Sequence, residues 1–111
     1  MNTQVWTREV ELSFQLHRAA LPYLYQDWSA VERTIRENLV LLKHRPRALQ
    51  AQGWIREWED ALAEGPEAIE RVAMTSGERG IDLRQVTPLA GVIPFDVRLR
   101  VIQQVRANAA S

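Results

Sequence analysis

Apolar residues recur along this chain mostly at three- and four-residue intervals, the period of an α-helix. In the first segment, from about Thr3 to Ala20, Trp6, Val10 and Phe14 follow helical spacing that continues to Leu21 and Leu24. Val5, Leu12 and Leu16 form a second stripe. Val10, Leu12, Phe14 and Leu16 also alternate strictly, as a strand would. No partner strand follows, and a lone strand leaves its backbone N–H and C=O groups unpaired, so the segment is read as a helix. Apolar on two sides, it belongs at the centre of a bundle or half covered by a second subunit through Leu12 and Leu16. Pro22 is expected to kink or end it.

Ser29-Ala-Val-Glu32 fits a capping box, in which hydroxyl and carboxylate each satisfy a free backbone N–H. Val31, Ile35, Leu39 and Leu42 then mark one face of a second helix ending at Lys43. Pro46 suits the first turn of a third, over Pro46 to Glu64, in which Leu49, Trp54, Ile55, Trp58, Ala61 and Leu62 share a face. Gly65 supplies a stop, and Pro66 starts a fourth helix with Ile69, Val72 and Ala73 inward, ending near Thr75 to Gly77. Residues 78–93 are the least regular. A short helix is expected over Ile81 to Val86, with Thr87-Pro88 ending it. Leu89, Val92 and Ile93 are too apolar for a solvated loop and should fold back over the core. Pro94 opens a last helix with Val97, Val101, Ile102 and Val105 inward and Arg98, Arg100 and Arg106 outward, fraying from Ala107 to Ser111. The fold expected is all-α: a small bundle of about five helices with one apolar irregular loop before the last, in a single domain over residues 1–111.

Composition narrows the class. At 46% hydrophobic and 25% charged, the 111 residues suit one folded domain rather than a disordered chain. The longest apolar stretch, Ala19 to Tyr25, falls far short of the roughly 20 residues that span a bilayer. The start, MNTQVWTREVEL, has neither the basic residues nor the apolar run of a secretory signal. A cytoplasmic protein with no membrane contact is expected. Without cysteine there is no disulfide, thiolate zinc ligand or cysteine nucleophile. Fourteen basic residues balance fourteen acidic ones, so no long-range field gathers nucleic acid or anionic lipid. Locally the charge is segregated: residues 33–55 carry +4 and residues 56–70 carry −5. That pattern fits either ordinary solvated faces or a dipolar surface that orients a partner.

Candidate chemistry is sparse. His17 and His44 are the only histidines and lie in no metal-binding arrangement; His17 suits a helix flank and His44 the carbonyl end of the second helix. Glu57 with Asp60, and Glu67 with Glu70, are pairs three apart that could each hold a hard cation, as in all-α nucleotide pyrophosphohydrolases. Only six residues separate the pairs, around Gly65-Pro66, which is short for two helices to face each other there. The serines at 13, 29, 76 and 111 have no compelling base partner, and Gly77-Glu-Arg-Gly80 reads as a turn rather than a phosphate cradle. Lys43, Arg45, Arg47 and Gln50 form a basic, base-reading cluster between two helices, the elements of a helix-turn-helix. Glu57, Glu59, Asp60 and Glu64 on the same helix oppose phosphate. Protein contact has the broadest support. Four tryptophans and thirteen arginines are interface-forming residues in excess of what a small core needs.

Gly65-Pro-Glu-Ala-Ile69, Ser76-Gly-Glu-Arg-Gly80, Leu83-Arg-Gln85 and Thr87-Pro-Leu-Ala-Gly91 resemble a run shared by small bacterial helical proteins of no established activity. There it reads G-P-E-A, S-E-x-G, L-R-Q and S-P-F-A-G before a final charged helix. The resemblance covers roughly residues 53–106; Leu89 stands where that group has an aromatic, and Phe95-Asp-Val-Arg98 where it has a more acidic helix start. It implies a bacterial, intracellular protein of the kind found at toxin–antitoxin or defence loci, and no functional residue is carried over.

The leading expectation is a protein that acts by protein–protein contact and self-associates, an antitoxin-like or other regulatory adaptor needing no cofactor. Its candidate contact residues are Trp54, Trp58, Arg84, Leu89 and Arg98. The alternatives are a nucleic-acid module using Lys43, Arg45, Arg47 and Gln50, and a magnesium-dependent pyrophosphohydrolase-like enzyme using Glu57, Asp60, Glu67 and Glu70.

Overall fold

Thr7 starts the first helix, α1 (Arg8–Gln26): its backbone is extended and its hydroxyl accepts from the Val10 N–H at 3.2 Å. The structure is a computed structural model that describes residues 6–45 and 48–110. The alternation from Val10 to Leu16 is therefore helical. Pro22 lies inside α1 instead of ending it. The proline removes the N–H that would reach the Arg18 carbonyl, but both residues face solvent, where water replaces the lost bond. Leu24, fully buried beyond the proline, holds the last turns in place.

Asp27 ends α1 and caps α2 (Trp28–Lys43), its carboxylate accepting from the Ala30 N–H at 3.3 Å. The capping box expected at Ser29 does not form. With one residue joining the helices, Ser29 already lies in the first turn, and Glu32 pairs with Arg36 instead. His44 closes α2 as expected, with Nδ1 2.7 Å from the Val40 carbonyl oxygen. Helix α3 is Leu49–Glu64; the expected start at Pro46 lies outside the described residues. Gly65, at φ 124° and ψ −174°, takes a backbone region essentially reserved for glycine and lets α4 (Pro66–Ala73) begin at once.

The stretch read as a turn and a short helix is one helix, α5 (Gly77–Gln85). It brings the count among the described residues to six rather than about five, and none of them forms a strand. Gly80 explains the early start. A Cβ there would stand 1.7 Å from the Thr75 carbonyl oxygen, so only glycine lets the first turn of α5 close against the end of α4. Helix α6 is Phe95–Ala110 and stays helical through the residues expected to fray, as far as Ala110.

Helix α1 takes the central place, touching α2, α4, α5 and α6. Leu24, Ile35, Leu39, Ile55, Trp58 and Ile69 form the heart of the core. The connection from α5 to α6 folds back over it: Val86 and Leu89 are buried, and Val92 and Ile93 pack against the cluster. The Asn38 amide of α2 pins that connection by donating to the Pro88 and Ala90 carbonyls, at 2.7 and 2.8 Å. Helix α6 lies antiparallel along α1. Trp6 and Thr7 share one cleft with Val105 and Asn108, while Leu16 and Ala20 share another with Phe95 and Arg98. No helix among the described residues is long and apolar enough to cross a membrane.

Candidate partner-binding groove

Three of the five expected contact residues are interior. Trp58 is fully buried, and its indole N–H donates to the Leu83 carbonyl at 2.9 Å, tying α3 to α5. Leu89 is buried in the core cluster. Arg84 is buried too, because starting α5 at Gly77 turns it inward with Gly80, one turn before it. Its Nη1 donates to the carbonyls of Ala73 and Thr75, at 3.0 and 2.9 Å, which satisfies backbone oxygens left open at the end of α4. Its guanidinium stands 5.1 Å from the centre of the Phe14 ring, a cation–π contact. These residues are struts: Leu89 folds back over the core as its apolar loop predicts, and neither it nor Arg84 is free to serve as a contact residue. Trp54 is half-buried against the core, and Arg98 is exposed on α6.

The tryptophan surplus is largely absorbed inside the chain. Trp28 and Trp54 pack on the core, and Trp6 meets Phe14 edge to face at 5.9 Å while its N–H donates to Glu11 at 2.7 Å. That bond and another from Gln15 hold the Glu11 carboxyl below its ordinary pKa, the Gln15 bond more strongly.

His17, expected on a helix flank, is buried. Its Nδ1 is 2.7 Å from the Ser13 carbonyl oxygen, an acceptor only, so Nδ1 carries the proton and donates. Nε2 is left as a buried acceptor with no partner among the described residues. Burial pushes the imidazole pKa down to about 4, helped by the positive charge of Arg84 and opposed by the Ser13 bond. The ring is neutral at neutral pH and packs 6.4 Å from the Trp58 ring, centre to centre.

Outside these residues lies an apolar groove of about 650 Å³ between α1 and residues 87–98. Leu12, Leu16 and Ala20 form one wall; Leu89, Ile93 and Phe95 form the other. Leu12 and Leu16 are half-buried, so the second stripe of α1 is only partly covered. Phe95 stands 77% exposed, and Leu99, one turn on, is 43% exposed. Glu9 and Arg98 line the groove with opposite charge, and neither is in an ion pair among the described residues. Sequence reasoning singled out Leu12, Leu16 and Arg98 but missed Phe95 and Glu9. Its signal for Phe95 was an aromatic directly after the helix-opening Pro94, off the inward stripe of α6.

The residues of the two alternatives are dispersed or engaged. Lys43 pairs with Glu59 at 2.9 Å, an ion pair that joins the basic and acidic segments across α2 and α3. Arg45 and Gln50 are exposed, and Arg47 lies outside the described residues. Glu57 accepts from both terminal guanidinium nitrogens of Arg79, and Glu70 accepts from the Tyr25 hydroxyl at 2.6 Å, which pushes that phenol pKa up to about 12. Glu67 and Asp60 are exposed, and no three of the described His, Asp or Glu residues gather where they could hold a metal ion. Comparison with protein-family models, with curated proteins and with solved structures finds no match to this chain.

Proposed function

We propose that this protein acts by protein–protein contact, as a small regulatory adaptor of the antitoxin kind, and that the groove between α1 and residues 87–98 is its contact surface. The observation that carries this reading is an uncovered apolar groove bordered by an exposed phenylalanine and by two charges of opposite sign that are unpaired among the described residues. Exposed apolar area rimmed by charge is the anatomy of a protein interface: the aromatic supplies burial, and the rim supplies direction. A photo-crosslinking side chain introduced at Phe95, in cells of the native host, tests it. One dominant protein adduct is expected at position 95 and none at position 36, on the exposed side of α2. Nucleic-acid adducts at position 45, with none of protein at position 95, overturn it.

A further inference from the structure

The groove and its neighbouring aromatic lie on one surface, which carries an exposed apolar side chain, a hollow and charges of both signs. We infer that the groove takes a second copy of this chain, in a two-fold dimer in which each Phe95 inserts into the partner's groove. This rests on reading the groove as a protein-contact site and adds the identity of the partner.

A two-fold interface uses the same patch twice, so the patch must carry both a projection and the hollow that receives it. Phe95 is the projection, 77% exposed at the first turn of α6. The hollow beside it is walled by Leu12, Leu16 and Ile93. Leu99, four residues after Phe95 and therefore on the same face, extends the apolar strip along α6 beyond the groove. A small molecule in the groove leaves Leu99 and the outer face of Phe95 in water; a second protein surface covers both. The charges agree. Glu9 and Arg98 line one groove with opposite sign, so a two-fold axis that passes between them brings each Glu9 to the other copy's Arg98. Because the chain is neutral overall, no net repulsion opposes the pairing of two copies.

Sedimentation equilibrium between 1 and 100 μM, with native mass spectrometry of the same samples, tests the inference. The unaltered chain is expected to dimerise in this range. Phe95→Asp is expected to raise the dissociation constant by about 30-fold or more, the loss of an interface hot spot. It should leave the melting temperature of the monomer unchanged, since Phe95 contributes little to the core. Arg98→Glu and Glu9→Arg should each weaken the dimer several-fold, and the double variant should recover most of the loss. A chain monomeric at 100 μM overturns the inference, as does a dimer indifferent to Phe95→Asp or a monomer that carries an apolar small molecule. A monomer that still gives a foreign protein adduct at position 95 loses the dimer and keeps the contact reading; a chain with neither dimer nor adduct loses both.

Discussion

His17 shows how one buried side chain couples this fold to pH. Unfolded, its imidazole takes up a proton near pH 6.5; folded, burial delays that to about pH 4. Between these values the unfolded chain binds more protons, so falling pH favours unfolding. His17 is therefore expected to leave stability intact above pH 6.5 and to withdraw roughly 3 kcal/mol of it by pH 4. His17→Asn keeps a donor for the Ser13 carbonyl and cannot titrate. Denaturant melts at a series of pH values should show a flatter profile for the variant across that window. Parallel profiles would remove His17 as the cause. The sequence showed a lone histidine on α1, but only the packing of Trp58 and Arg84 around it decided that it would be neutral and enclosed. Arg84 teaches the same at the opposite polarity. An arginine before an apolar loop reads as surface, yet the glycine at 80 brings two helices close enough for Arg84 to serve as an internal cap.

At the scale of elements, the competition between Asp27 and Ser29 is informative. Both are good N-cap residues, and Ser29 has the glutamate three places on that completes a capping box. Local chemistry does not choose between them. The choice follows from where α1 stops, and α1 continues past Pro22 because Leu24 is buried. Asp27→Ala should then cost about 1 kcal/mol of stability, while Ser29→Ala, at an exposed first-turn position, should cost a few tenths at most. Equal losses in thermal melts would contradict the observed cap. The reach of α5 back to Gly77 has the same origin. Glycine weakens a helix read alone, and two glycines within four residues read as a turn. Close contact with α4 reverses that judgement, because a larger residue at 80 would not fit.

For the whole molecule, the connection from α5 to α6 is the closing element. Leu89 sits in the core cluster, and Asn38 grips the carbonyls on either side of it from a helix some fifty residues earlier. Leu89→Ala is expected to destabilise the protein by about 2–5 kcal/mol, the cost of emptying a buried leucine site. A loss below about 0.5 kcal/mol in equilibrium denaturation would return Leu89 to the surface. Because Leu89 also floors one wall of the groove, the groove is a consequence of how this connection seals the core.

Helical period, the break at Gly65-Pro66, the inward folding of the apolar connection and the outward arginines of α6 were all legible along the chain. The helical period, the break and the arginine face are local, set by residues within one or two turns of each other, and the inward folding follows from composition, because Leu89, Val92 and Ile93 are costly to leave in water. The interior places of Trp58, Arg84 and His17, the reach of α5 back to Gly77, and the cap at Asp27 were decided by contacts between residues distant in sequence. The candidate site divides the same way. The second stripe of α1, half covered in the fold, was visible as Leu12 and Leu16. Its opposing wall, Phe95 and the Glu9–Arg98 rim exist only because α6 returns antiparallel along α1, and no spacing along the chain encodes which two apolar stripes will lie side by side.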